Sequence, residues 1–273
     1  MLIQRVVTAL VLLPALLALV WFAPTSAVFA VFALAGALIA WEWSGLMRLP
    51  SPALRQGYAA AVGLILVLAW FTPLRAQALV WLLVPAALWW LLVPLLFRGF
   101  PGNLQRRPIP TLPMGLLGML LVVATILSLA WVHALPGGPL KLLYVFFLVF
   151  AADTGAFLAG RSFGRRKLAP AISPGKTVEG AIGGIALCAA WALTGGVYAF
   201  GVAGTGLWWL LGLSLFVAAG SIVGDLAESM FKRVSGIKDS GSLLPGHGGL
   251  LDRVDSILAA APLMVLGLIV TGL

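Results

Sequence analysis

Charge is scarce in this sequence: Asp, Glu, Lys and Arg make up 9% of its 273 residues, against 62% hydrophobic. A water-soluble domain of this length needs far more charge to cover its surface, so that class is excluded. Cysteine occurs once, as Cys188 within an apolar run. One thiol makes no intrachain disulfide and no soft-metal cluster, and Cys188 reads as a small packing residue. Only two histidines are present, so an imidazole-rich metal site is also excluded. No internal repeat, heptad seam or low-complexity tract replaces what is missing.

What the chain has in quantity is apolar runs of bilayer length, about 20 residues each. Nine are read, over residues 6–22, 25–41, 57–71, 77–97, 113–132, 142–160, 180–200, 206–231 and 256–273. Backbone in hydrocarbon must satisfy its own hydrogen bonds, so the expectation is an all-α, polytopic integral membrane bundle of about nine transmembrane helices. Pro14, Pro85, Pro94 and Pro262 are compatible with membrane helices. The first span reads as a retained anchor rather than a cleaved signal. With the N-terminus in the cytoplasm, only Arg75 and Lys141 of the 17 basic residues fall outside, leaving 15 inside. Anionic inner-leaflet lipid then accounts for the net charge of +9, and no nucleic acid is required. The chain is read as one membrane domain, with scaffold helices in 1–112 and the catalytic part in 113–273.

Carboxylates are placed unevenly. Of eight, only Glu42 lies in the first half, between Trp41 and Trp43, and it reads as an interfacial anchor. His133 reads as interfacial and residues 98–113 as a linker. The other seven are Asp153, Glu179, Asp225, Glu228, Asp239, Asp252 and Asp255. Asp153, Asp225 and Glu228 stand inside apolar spans, where a charge costs about 3 kcal/mol on insertion scales and marks a functional candidate. Asp225, Glu228, Ser229 and Lys232 recur at i, i+3, i+4 and i+7, one helix face. Asp252 and Asp255 open the last span, where one cap would need only one of them. Hard oxygen ligands of this kind suit Mg²⁺, Ca²⁺ or Mn²⁺.

Two polar loops accompany them. The loop from Lys232 to Gly249 carries five glycines together with Lys232, Arg233, Lys238 and His247, a combination able to approach an anion closely. The other runs from Gly160 through Arg161–Lys167 to Ser173-Pro174-Gly175-Lys176-Thr177. Its Gly-Lys-Thr is not a P-loop, because Pro170 stands where the motif needs glycine. It can still serve as an anion site at a helix start, while the basic cluster 161–167 reads equally as phosphate binding or as topology signal. On the residues alone the function is metal-assisted phosphate chemistry at one membrane face. An ion transporter is the alternative from another class, disfavoured because the acids crowd one half and one face.

Ser229-Met230-Phe231-Lys232-Arg233, Lys238-Asp239-Ser240-Gly241, Leu244-Pro245-Gly246-His247-Gly248-Gly249 and Asp252-Arg253-Val254-Asp255 resemble the signature of the phosphatidate cytidylyltransferase family, bacterial type. Gly224-Asp225-Leu226-Ala227-Glu228, Asp153-Thr154-Gly155-Ala156 and Ser173–Thr177 look like the same family, whose motifs cover about 153–256. The resemblance implies transfer of a cytidylyl group from CTP to phosphatidic acid, giving CDP-diacylglycerol and pyrophosphate, at the cytoplasmic side of a bacterial inner membrane. It implies Mg²⁺, with a second cation left open, and a homodimer. Asp225 and Asp252 carry over as principal metal ligands, with Glu228 and Asp255 as further ones. Lys232, Arg233, Lys238, His247 and Arg253 carry over to substrate phosphates. Ser173, Lys176 and Thr177 carry over to the nucleotide side, Asp239 and Ser240 to shaping the loop or meeting the nucleotide, and Ser229, Gly248 and Gly249 to substrate binding. A CTP-dependent polyprenol kinase or an ether-lipid cytidylyltransferase is the nearest rival.

Overall fold

Apolar runs without water to bond their backbone have one local solution, the helix, and the chain takes it almost throughout. The computed structural model describes residues 2–72, 76–243, 246 and 248–273. Arg75 and His247 therefore lie outside the described residues. The order is α1 (Leu2–Phe22), α2 (Thr25–Leu46), α3 (Pro52–Phe71), α4 (Ala76–Leu92), α5 (Pro94–Phe97), α6 (Gly102–Arg106), α7 (Thr111–Ala134) and α8 (Gly138–Phe163). A hairpin of β1 (Lys167–Ala169) and β2 (Ser173–Thr177) follows, then α9 (Val178–Phe200), α10 (Thr205–Ser235) and α11 (Leu251–Thr271). Among the described residues, eight helical segments are long and apolar enough to cross a membrane, and the apolar part of α1, Leu10–Phe22, is shorter. The polytopic helical bundle is thus as expected.

The differences lie at the ends. Hydropathy stops at the first charges, but helices run on until something ends them. α10 reaches Ser235, where Gly236 takes φ +73° and donates to Arg233 O, and Ile237 N donates to Lys232 O. That left-handed glycine cap closes a 31-residue helix of about 46 Å, well beyond a hydrocarbon core of about 30 Å. Pro94 splits the fourth span into α4 and α5. The linker expected over 98–113 holds the short α6 and the start of α7. The hairpin was not foreseen: Lys167 pairs with Thr177 and Ala169 with Ser173, antiparallel. Thr177 then caps α9, its hydroxyl accepting from Gly180 N at 3.1 Å.

α7 and α11 form the centre, with residues 121–130 and 256–265 all buried. α11 touches α2, α4, α7, α8 and α10. Pro262 lacks the N–H that would bond Leu258 O; Trp90 Nε1 (3.1 Å) and Thr125 Oγ1 (3.3 Å) donate to that carbonyl instead. Outward faces carry large apolar side chains such as Trp81, Trp208 and Phe22, as lipid contact requires. His133 is a correction: it is buried, tied to Thr25 Oγ1 (2.9 Å) and Val20 O (3.0 Å), and joins α7 to the turn between α1 and α2. Cys188 is buried with Sγ on Leu148 O, as a packing residue should be.

Candidate active site

Small residues bring the first wall of the site together. A Cβ on Gly155 would stand 2.5 Å from Gly183 O, one on Gly184 2.6 Å from Ala152 O, and one on Gly180 2.8 Å from Ala156 O. α8 and α9 therefore pack backbone to backbone, the small-residue mode of membrane helices. This contact sets Asp153 of α8 beside the end of β2. Lys176 on β2 forms an ion pair with Asp225 of α10. Asp153, Arg161, Lys176, Thr177 and Asp225, with apolar residues such as Phe157, line a cavity of about 490 Å³. The hairpin that presents Lys176 is anchored at its base by Glu179, which accepts from Arg165 N (3.0 Å) and Arg166 N (3.1 Å) and pairs with the Arg166 side chain.

A second close crossing supplies the opposite wall. A Cβ on Gly224 would meet Asp255 O at 2.7 Å and Ala259 Cβ at 3.1 Å, so α10 and α11 touch one residue before Asp225. Asp255 consequently interacts electrostatically with Asp225, Asp153 and Lys176. Asp225, Asp153 and Asp255 thus share the surroundings of one ammonium, with Asp225 its ion-pair partner. Ser229 Oγ donates to Asp225 Oδ1 at 3.4 Å.

The helical stripe on α10 divides after Asp225. Its next members, Glu228 and Lys232, turn to Asp252 and to the loop before α11. Lys232 Nζ lies 2.7 Å from Asp252 Oδ1 and 2.6 Å from Glu228 Oε2. Asp252 also accepts from Ser240 N (3.0 and 3.1 Å) and Gly249 N (2.8 Å), filling the sites a carboxylate offers. Glu228 is 3% exposed, and Lys232 is the cation its buried carboxylate meets. Asp225 and Asp252, expected in one pocket, belong to different hydrogen-bond groups. Arg233, Lys238, Asp239 and Arg253 are exposed, and Ser173 pairs at the start of β2.

Sequence reasoning misplaced Glu42. It is 5% exposed and sits beneath the glycine-rich loop, its carboxylate taken up by protein groups. Its carboxylate accepts from Leu250 N (3.0 Å), Leu251 N (2.7 Å) and Ser240 Oγ (3.1 Å). A Cβ on Gly241 or Gly249 would stand 2.4 or 2.5 Å from its oxygens, so those two glycines make room for Glu42. Gly236, Gly246 and Gly248 serve the other purpose, positive φ. Arg48 donates to Val234 O and Ser235 Oγ donates to Leu46 O at 2.9 Å, so the end of α2 also fixes the end of α10.

The carboxylates near Lys176 are hard oxygen donors, the type that a divalent cation such as Mg²⁺ takes. Among the described residues, no three acidic, histidine or cysteine side chains converge as a closed ligand set. Lys176 is the cation that Asp225 pairs with there.

Comparison with known proteins agrees with the motif reading. Residues 3–270 match the cytidylyltransferase family. The phosphatidate cytidylyltransferase of Haemophilus influenzae is 40% identical over 286 residues, covering 96% of each chain. That of Pseudomonas aeruginosa is 42% identical over 271 residues, covering 96% of this chain and 95% of the relative. The Brucella melitensis enzyme of that name reaches 49% over 132 residues, about half of either chain. This chain belongs to the cytidylyltransferase family, in its bacterial phosphatidate cytidylyltransferase type.

Proposed function

We propose that the chain transfers the cytidylyl group of CTP to phosphatidic acid, giving CDP-diacylglycerol and pyrophosphate, at the cytoplasmic face of a bacterial inner membrane. The observation that carries this reading is Lys176 paired with Asp225, with Asp153 on the same wall, at a cavity of substrate size in a chain of this family. A phosphatidate oxygen forms a bond to the α-phosphorus as the bond to the pyrophosphate oxygen breaks, and the electron pair leaves with pyrophosphate. The attacking monoester is already an anion, so no strong base is needed. Catalysis is then positioning and charge neutralisation.

Each part of the site has a task in that scheme. Lys176 exchanges Asp225 for a phosphate oxygen, and Arg161 stands on the same cavity wall. Lys232, Arg233, Lys238, Arg253 and His247 are the further cations for the two polyanions. Asp225 and Asp255, with Asp153 beside them, would hold Mg²⁺, which when bound neutralises phosphate charge and stabilises the leaving pyrophosphate. Asp252 and Glu228 would join only by releasing Lys232, so Asp252 primarily fixes the loop.

Purified protein given CTP, phosphatidate and Mg²⁺ should release pyrophosphate and CDP-diacylglycerol in equal amounts, and chelation should stop it. Asp225→Asn should lower the rate by about a thousandfold with helicity unchanged. Release of CDP with a phosphorylated lipid would instead establish a kinase, and a folded, inactive wild type would sink the proposal.

A further inference from the structure

A second cavity, of about 410 Å³, lies between α1, α2, α7, α8 and α11. Its walls are apolar apart from Thr125 and Arg253. The Thr125 hydroxyl is spent on Leu121 O (2.8 Å) and Leu258 O (3.3 Å), so no polar group along the shaft addresses a ligand. A nucleotide cannot bind there. Arg253 stands in the first turn of α11 beside Asp252, with Asp255 two residues further on. An apolar shaft with a cation at the end nearest the carboxylates matches a ligand with a hydrocarbon tail and an anionic head.

One stripe of α8 joins this cleft to the polar cavity. Phe146 and Phe150 line the cleft, and Asp153 and Phe157 line the cavity. Their spacing of i, i+4, i+7 and i+11 puts all four on one face, with Phe146 about 10 Å along the helix from Asp153. A lipid seated against the two phenylalanines has its head delivered to the level of Asp153. We propose that this cleft seats an acyl chain of the phosphatidate substrate, with the phosphate emerging past Arg253 towards Asp153 and Lys176. The inference rests on the cytidylyl-transfer reading and adds which walls hold the lipid.

The test uses the wild-type protein and a phosphatidate carrying a diazirine near the end of one acyl chain. After illumination, adducts should fall on residues 12–19 of α1, 31–39 of α2 and 125–129 of α7. Excess unlabelled phosphatidate should reduce them about tenfold, and phosphatidylglycerol should not, because only the former presents a monoester to the acid-bearing end. Adducts confined to 152–161 and 175–181 would overturn the proposal, as would equal competition by phosphatidylglycerol, which would make the cleft a general lipid berth. Filling the shaft by Ala35→Trp should raise KM for dioleoyl phosphatidate about tenfold and leave dihexanoyl phosphatidate and CTP unchanged. If the wild type makes no CDP-diacylglycerol, the reaction reading fails by that assay, whatever the label shows.

Discussion

Glu42 shows how one side chain can govern a loop almost 200 residues away in sequence. It is buried and accepts three hydrogen bonds, two from the N–H groups that open α11. Glutamine at this position keeps the shape but turns one oxygen into an NH₂ facing N–H donors. Losing a charge-assisted bond and creating a donor clash costs about 2–4 kcal/mol. Glu42→Gln should therefore lower cytidylyl transfer at least about tenfold and speed proteolysis within residues 236–250, with helical content retained. Wild-type turnover and an equally resistant loop would show that Glu42 does not hold it. The sequence could not reveal this role. Flanking tryptophans are the signal of an interfacial residue, and nothing local names a partner so distant in sequence. Gly241 and Gly249 carried the missing half of the information, since a side chain at Gly241 would meet the Glu42 carboxylate and one at Gly249 would meet both that carboxylate and Ser240 Oγ.

At the scale of elements, hydropathy located the helices and failed at what ends or joins them. α10 outruns its apolar stretch because a glycine cap, not charge, terminates it. The β1–β2 hairpin is too short and too polar for any periodic signal, yet it carries Lys176. The role of Pro262 was also hidden, because the residues that replace its missing bond lie on α4 and α7. That replacement can be measured. Trp90→Phe leaves Leu258 O with the weaker, shared Thr125 donor alone, a loss of about 1 kcal/mol by the scale of membrane hydrogen bonds. Pro262→Ala restores the N–H that Leu258 O would otherwise bond, so in that background Trp90→Phe should cost clearly less. Detergent unfolding of the four proteins gives the coupling. Equal costs in both backgrounds would mean that Trp90 acts by packing only.

For the whole molecule, the distribution of basic residues and the arrangement of the site make one claim from two directions. Lys176, Lys232, Arg48, Arg161 and Arg233 gather where α2, α8 and α10 end, while Lys141 stands at the opposite end, over the Phe200 ring at 5.3 Å. A bundle with this asymmetry inserts with its basic end inward. The proposed reaction draws on cytoplasmic CTP, and so expects the same orientation that the charges favour. Cys188 is buried and free, and Cys188→Ala gives a background without thiols. In that background Thr205→Cys, exposed at the turn from α9 to α10, should react in intact spheroplasts with a membrane-impermeant maleimide. Arg107→Cys, exposed between α6 and α7, should react only after permeabilisation. The reverse pattern would place the carboxylates and Lys176 outside, away from nucleotide, and would refute orientation and proposed reaction together. Arginine 107 is also one of the 15 residues that set the orientation, so Ser51→Cys, at the same end and outside the basic set, serves as its control.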